Sequence, residues 1–219
     1  MEGINNKFVV APMIWPITQD GALTSAVINM EGYDQADIYI QIGTVTKAGA
    51  VTLEKGRVAG TVATALAFER YFSTGFIIEY NRPSVDAPAA VGETVTGAGA
   101  GSGVIAQDLG NKLVCYSYNG TTFVDDEVLT FSGGKTARAV GIQKHTDIMV
   151  PRPVVADTFN AENLAAKTYC IPVTAAMLGD GFKFVEVNIG DMDATGVAVF
   201  AVMSGPRCAN TPPLRAVGA

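Results

Sequence analysis

The sequence predicts an all-β protein: an antiparallel β-sandwich of jelly-roll-like type whose chain is interrupted by a small inserted β-module. Three observations predict it. Nearly every apolar segment is short, rich in Val, Ile, Thr, Tyr and Phe, and bounded by Gly, Asn or Asp, the pattern of strands rather than helices. Turn signals fall between these segments at Glu31-Gly32, Lys47-Ala48-Gly49, Asn119-Gly120, Gly179-Asp180-Gly181 and Gly190-Asp191. Glycine makes up 24 of the 219 residues, more than the roughly 7% of average usage, while only 16% are charged against roughly 25%.

Taken in order, the first strand expected inside the body runs from Ser25 to Met30. In Asp37–Ile42 the strict alternation puts Ile38, Ile40 and Ile42 on one face, opposite Asp37, Tyr39 and Gln41, which marks a half-buried strand. Further strands are expected at Ala50–Glu54, Thr64–Phe68, Phe76–Glu79, Leu113–Tyr118, Lys167–Val173, Phe182–Ile189 and Gly196–Met203. Helix is scarce. Asn160–Lys167 has good helix formers for about two turns, and Thr174–Leu178 reads as a single turn with Thr174 as its cap.

Proline-bearing connectors at Arg82–Ala90 and Val150–Val154 bracket a segment of different character. It contains a repeat: Gly92–Val104 matches Asp126–Val140 when Glu93 is laid on Glu127, 34 residues further on. Each copy reads as strand, glycine-rich turn, strand, so two copies can pair into a closed β-module. Insertion of such a module at an exposed loop is tolerated because lengthening a loop costs little. The expected organisation is a sandwich body of residues 1–82 plus 158–205, with 1–16 as an extended arm, an inserted lobe at 83–157, and a tail over 206–219.

Composition narrows the chemistry. One histidine, His145, excludes a site with two histidine ligands, and three cysteines exclude a four-cysteine zinc or iron–sulfur centre. Wide spacing of Cys115, Cys170 and Cys208 fits reduced, buried thiols, with Cys208 as the one candidate for an intermolecular disulfide. A net charge of −6 with scattered Lys and Arg argues against a nucleic-acid partner. No apolar run approaches a spanning helix, so no membrane is expected, and Met1–Pro12 does not read as a secretory signal.

Sites that invite chemistry have plainer readings. Gly97–Gly103 fails the dinucleotide spacing because Ser102 stands where the third glycine must be, so a flexible hairpin turn is expected. Ser132-Gly133-Gly134-Lys135-Thr136 ends like a phosphate loop, but Leu129 occupies the first glycine position and no helix follows. Ser102 lacks nucleophile-elbow spacing, and His145, with Asp147 two residues on, reads as a surface histidine. Acids at Asp125–Glu127 and Asp191–Asp193 read as solvated loop acids, a weak cation site being the alternative. Hence no catalytic residue, cofactor or metal is expected, and the protein reads as a non-enzyme. A second reading, a carbohydrate-binding sandwich used in host attachment, rests on Tyr116, Tyr118 and the acids at 125–127.

The termini carry the remaining signal. Phe8, Val9, Val10, Met13, Ile14 and Trp15 are too apolar to be left in water, which suggests an arm laid on this molecule or on a neighbour. The tail holds three prolines. The candidate partner-contacting residues are therefore Phe8, Val10, Met13 and Trp15 in the head, and Pro206, Arg207, Pro212 and Leu214 in the tail.

Glu31–Gly43 with its following Val-Thr-Leu-Glu strand, Leu178–Asp191 and Ala201–Arg207 together resemble small virion proteins of tailed bacteriophages. The Gly-Glu-Thr-Val-Thr-Gly repeat is similar to β-modules of phage structural proteins, though Val128-Leu129-Thr130-Phe131 departs from the pattern in the second copy. The resemblance implies a capsid decoration protein assembled in the host cytoplasm and resident on the capsid surface. It implies the major capsid protein and copies of itself as partners, the latter in a trimeric arrangement. Head–tail connector and tail or fibre roles belong to the same set.

Overall fold

The computed structural model describes residues 8–81, 88–119, 121–142, 144–154, 157–161 and 167–206. Among them, strands run in chain order as β1 Phe8–Ile17, β2 Leu23–Thr24, β3 Ile28–Asn29, β4 Tyr33–Ile42, β5 Gly49–Val58 and β6 Thr61–Ala65. Next come β7 Arg70–Asn81, β8 Thr94–Gly97, β9 Ser102–Asp108, β10 Lys112–Asn119, β11 Val128–Phe131, β12 Thr136–Ala139 and β13 Lys144–Pro153. Then follow β14 Thr158–Ala161, β15 Lys167–Thr174, the helical turn α1 Ala175–Leu178, β16 Phe184–Ile189 and β17 Val197–Pro206. The protein is all-β.

Two compact units divide the chain: Met1–Tyr71 with Pro153–Ala219, and Phe72–Arg152. The first is an antiparallel β-sandwich. One of its sheets has the order β1-β17-β4-β15, and the other has β14-β5-β16-β2 with β3 also on β16 and β6 also on β5. Ile38, Ile40 and Ile42 all point inward, as their alternation requires, and meet Val197, Val199 and Ala201 of β17 and Tyr169, Ile171 and Val173 of β15 in one core. The facing sheet contributes Val51, Leu53, Val185, Val187 and Ile189.

Two sequence expectations change in the body. Asn160 and Ala161 of the expected helix Asn160–Lys167 belong to strand β14, with 162–166 outside the described residues, and Lys167 opens β15. Period-two burial of Phe159 and Ala161 decides it, with Phe159 stacked on Tyr71 at 4.0 Å and tilted against Tyr169 at 5.1 Å. Of the expected strand Ser25–Met30 only Ile28–Asn29 pairs as a strand, β3, with β2 lying before it; Ser25 instead donates its N–H to the Val187 carbonyl and accepts the Val187 N–H on its hydroxyl. Residues 8–16 of the expected arm lie on this molecule, in strand β1, paired from Phe8↔Ser204 to Ile17↔Val197. At the other end Pro206 is the last residue of β17, opposite Tyr33.

The second unit is a closed barrel. Strand pairing runs β7-β10-β9-β8-β11-β12 and back to β7, with β13 added on β7, so the path has no open end. The repeat supplies β8–β9 and β11–β12; β7 and β10 close the ring, which the two copies alone do not. The copies are related by a pseudo-two-fold: Thr130 faces Thr96, its counterpart 34 residues earlier, while Leu129↔Gly97 and Phe131↔Val95 flank them. Peptide contacts repeat accordingly. Ala98 N–H donates to Val128 O as Ser132 N–H does to Thr94 O, and Ile105 N–H to Glu93 O as Ala139 N–H to Glu127 O. Phe76, Ile78, Tyr80, Val95, Ile105, Leu113, Cys115, Phe123, Leu129 and Phe131 fill the interior.

Candidate interaction surface

In β1 the residues between which the ladder is regular alternate cleanly: Ala11 and Met13 enter the body core, and Phe8, Val10 and Pro12 face out. A register shift after Pro12 and another after Ile14 then leave Trp15, Pro16 and Ile17 exposed in succession. Trp15 is 73% exposed, Phe8 63% and Val10 56%, the largest apolar exposures of the body's outer strand. Met13, by contrast, is 4% exposed and part of the core, so it cannot contact a partner as expected. Arg207, Pro212 and Leu214 lie outside the described residues, as does the side chain of Pro206.

The exposed row continues inward across the sheet. Val10 is opposite Val202 and Pro12 opposite Phe200 on β17, and Phe200 is opposite Tyr39 on β4, the two rings stacked at 5.1 Å. On β15 the half-buried Pro172 extends it, while Cys170, opposite Tyr39, is buried. Asp37, held by a 2.7 Å hydrogen bond from the Gln35 amide, lies among them. Burial holds the Tyr39 hydroxyl above its ordinary range, helped by Cys170 and Asp37, and pushes the Cys170 thiol up to about 12. Both stay neutral at physiological pH. The alternation of Asp37–Ile42 alone places Tyr39 outward; the outward phase of Phe200 and Val202 follows once β17 is paired with β4.

Residues weighed for chemistry serve turns. Glu127, 9% exposed, accepts from Gly99 N–H at 2.5 Å and Val124 N–H at 3.1 Å, and its repeat partner Glu93 accepts from Ala90 N–H at 2.6 Å. Asp126 pairs with Arg138 at 3.0 Å, and Asp125 accepts from Gly141 N–H. The Arg152 guanidinium lies over the Tyr116 ring, 4.1 Å from its centre. Asp191 and Asp193 share Lys47, at 2.7 and 3.2 Å, and the hydrogen bond from Lys47 holds the Asp191 carboxyl below the usual range. His145 falls in β13, its side chain outside the described residues, as is that of Tyr118. Among the described residues no group of three or more potential metal ligands comes together, and no helix is long and apolar enough to cross a membrane.

No protein-family model matches the chain, and no curated protein matches it. Among solved structures it is similar to a chain described as "Structure of infectious bursal disease virus Gx strain", at 11% identity and a TM-score of 0.10. That comparison covers 90% of this chain but only 38% of the other. A likeness of that size carries no argument about fold or function.

Proposed function

We propose that this protein is a virion structural component, a capsid decoration protein that binds the major capsid protein and copies of itself and stabilises the shell. The observation that carries the reading is the exposed apolar row on β1, Phe8, Val10 and Trp15, at the outer edge of the sandwich. The resemblance of the Glu31–Gly43 and Leu178–Asp191 segments to phage virion proteins supports the same class.

Its mechanism is passive. An aromatic side chain offers about 150–250 Å², so covering the exposed parts of Phe8 and Trp15 removes roughly 200–350 Å² from water, worth about 5–9 kcal/mol before the costs of association. A stable contact takes about 800 Å² from each partner. The two rings are thus an anchor, and the β17–β4 outer face supplies the surrounding area. Free energy gained by binding assembled shell but not free subunits shifts the balance toward the shell.

Electron microscopy of purified particles, with the copy number of this chain, tests the reading. Many copies distributed over the shell are the expected result; a few copies at one vertex would assign the chain to the connector instead.

A further inference from the structure

Glu54 and Glu186 are direct register partners in the middle of the β5–β16 pair, on the face of that sheet opposite the core. Like charges placed directly opposite on paired strands repel. Both residues are half-buried, and each is flanked along its own strand by an uncharged residue on the same face, Thr52 beside Glu54 and Asn188 beside Glu186. The strands packed against them add no charge. Ala65 of β6 is opposite Glu54, Thr24 of β2 is opposite Asn188 and bonded to it, Thr158 of β14 is opposite Thr52, and Asn29 of β3 is opposite Phe184. None of β2, β3, β6 and β14 contains an ionisable residue.

The cations nearest in sequence are engaged elsewhere. Lys55 Nζ donates to the Met177 and Leu178 carbonyls, the Arg57 guanidinium lies over the Phe182 ring, and Lys183 pairs with Glu31 at 2.9 Å.

We propose that Glu54 and Glu186 share a proton across the β5–β16 seam, so that the seam is held while one carboxyl donates to the other and loosened when the proton leaves. Two carboxylates cannot hydrogen-bond to each other; a carboxylic acid and a carboxylate can. Burial, then the charge of Glu54 and its hydrogen bond, hold the Glu186 carboxyl above its ordinary range. The sign follows: a group that binds its proton more tightly folded than unfolded contributes stability that is full below the ordinary glutamate range. That contribution is lost as pH rises through the folded-state value. The sandwich is therefore fastened by acid at this point, independently of what it binds.

Carboxyl-carbon NMR of the full chain tests the pairing, and urea unfolding followed by circular dichroism between about pH 5 and about pH 8.5 tests the coupling. Glu186 is expected to titrate above the ordinary glutamate range and to come down in E54Q. The urea midpoint is expected to fall with rising pH more steeply in the native chain than in E186Q or E54Q, while D20N, which removes an equal charge from an exposed loop position, keeps the native slope. Ordinary titration of Glu186, no response to E54Q, or E186Q and E54Q retaining the slope of D20N would each overturn the proposal.

Discussion

Replacing Glu127 by alanine tests how the inserted barrel is held. Glu127 closes both ends of its turn: Oε1 takes the Gly99 N–H of the first repeat and Oε2 takes the Val124 N–H three residues before it in the chain. Hydrogen bonds to a charged group contribute about 1.5–3 kcal/mol each. Because Gly99 and Val124 are themselves exposed, water replaces much of what is lost, so E127A is expected to cost less than the lower-end sum of about 3 kcal/mol, about 2 kcal/mol. For a unit the size of Phe72–Arg152 that lowers Tm by about 10 °C. Glutamine keeps one acceptor oxygen but turns an NH2 toward the second donor, so E127Q should fall between, near 1 kcal/mol. Calorimetry measures the shift, and amide exchange should report early loss of protection at Gly99 and Val124 while Leu129, inside the barrel, holds until global unfolding. A loss in E127A below about 0.5 kcal/mol, the scatter of ordinary surface substitutions, would refute the reasoning.

Other outcomes follow from single features. Gly101 stands where an added Cβ would run into the Thr121 carbonyl oxygen, so G101A should lower barrel stability by about 1–3 kcal/mol in urea titrations. Cys115 and Cys170 have thiols pushed up to about 12 by burial, so in a C208S variant at about pH 8 a disulfide reagent should label neither until denaturant is added; rapid native labelling would contradict their placement. Trp15→Ala should leave the Tm of the isolated protein nearly unchanged yet weaken attachment to shells, read by co-sedimentation with decoration-free particles. Equal retention of native and variant protein would remove β1 from the interface.

Much of this architecture is legible in the residue order. Ile38, Ile40 and Ile42 alternate without a break and occupy the core as the spacing demands, and the Glu93/Glu127 match finds a two-fold that the peptide contacts reproduce. What escapes is decided by distant partners. Asn160 and Ala161 are strand because Tyr71 and Tyr169 receive the ring of Phe159 on the same strand, although Asn160–Lys167 has local helix propensity. Met13 looks like its exposed neighbours Phe8 and Val10 until the ladder with β17 sets its phase. Closing of the barrel needs β7 and β10, which lie outside both repeat copies. Glu54 and Glu186 are 132 residues apart and meet only through register.

Strand β1 has one further property. Pro12 and Pro16 remove two of the N–H groups its ten residues would otherwise present, and β1 terminates the order of its sheet. Another strand that docked there would find an interrupted row of donors, so neighbours are admitted by side-chain packing and refused by main-chain pairing. An apolar edge without such interruptions invites open-ended strand addition and fibres. With them, the edge offers a neighbour the side chains of Phe8, Val10 and Trp15 in place of a continuous main-chain template, and open-ended strand addition is disfavoured.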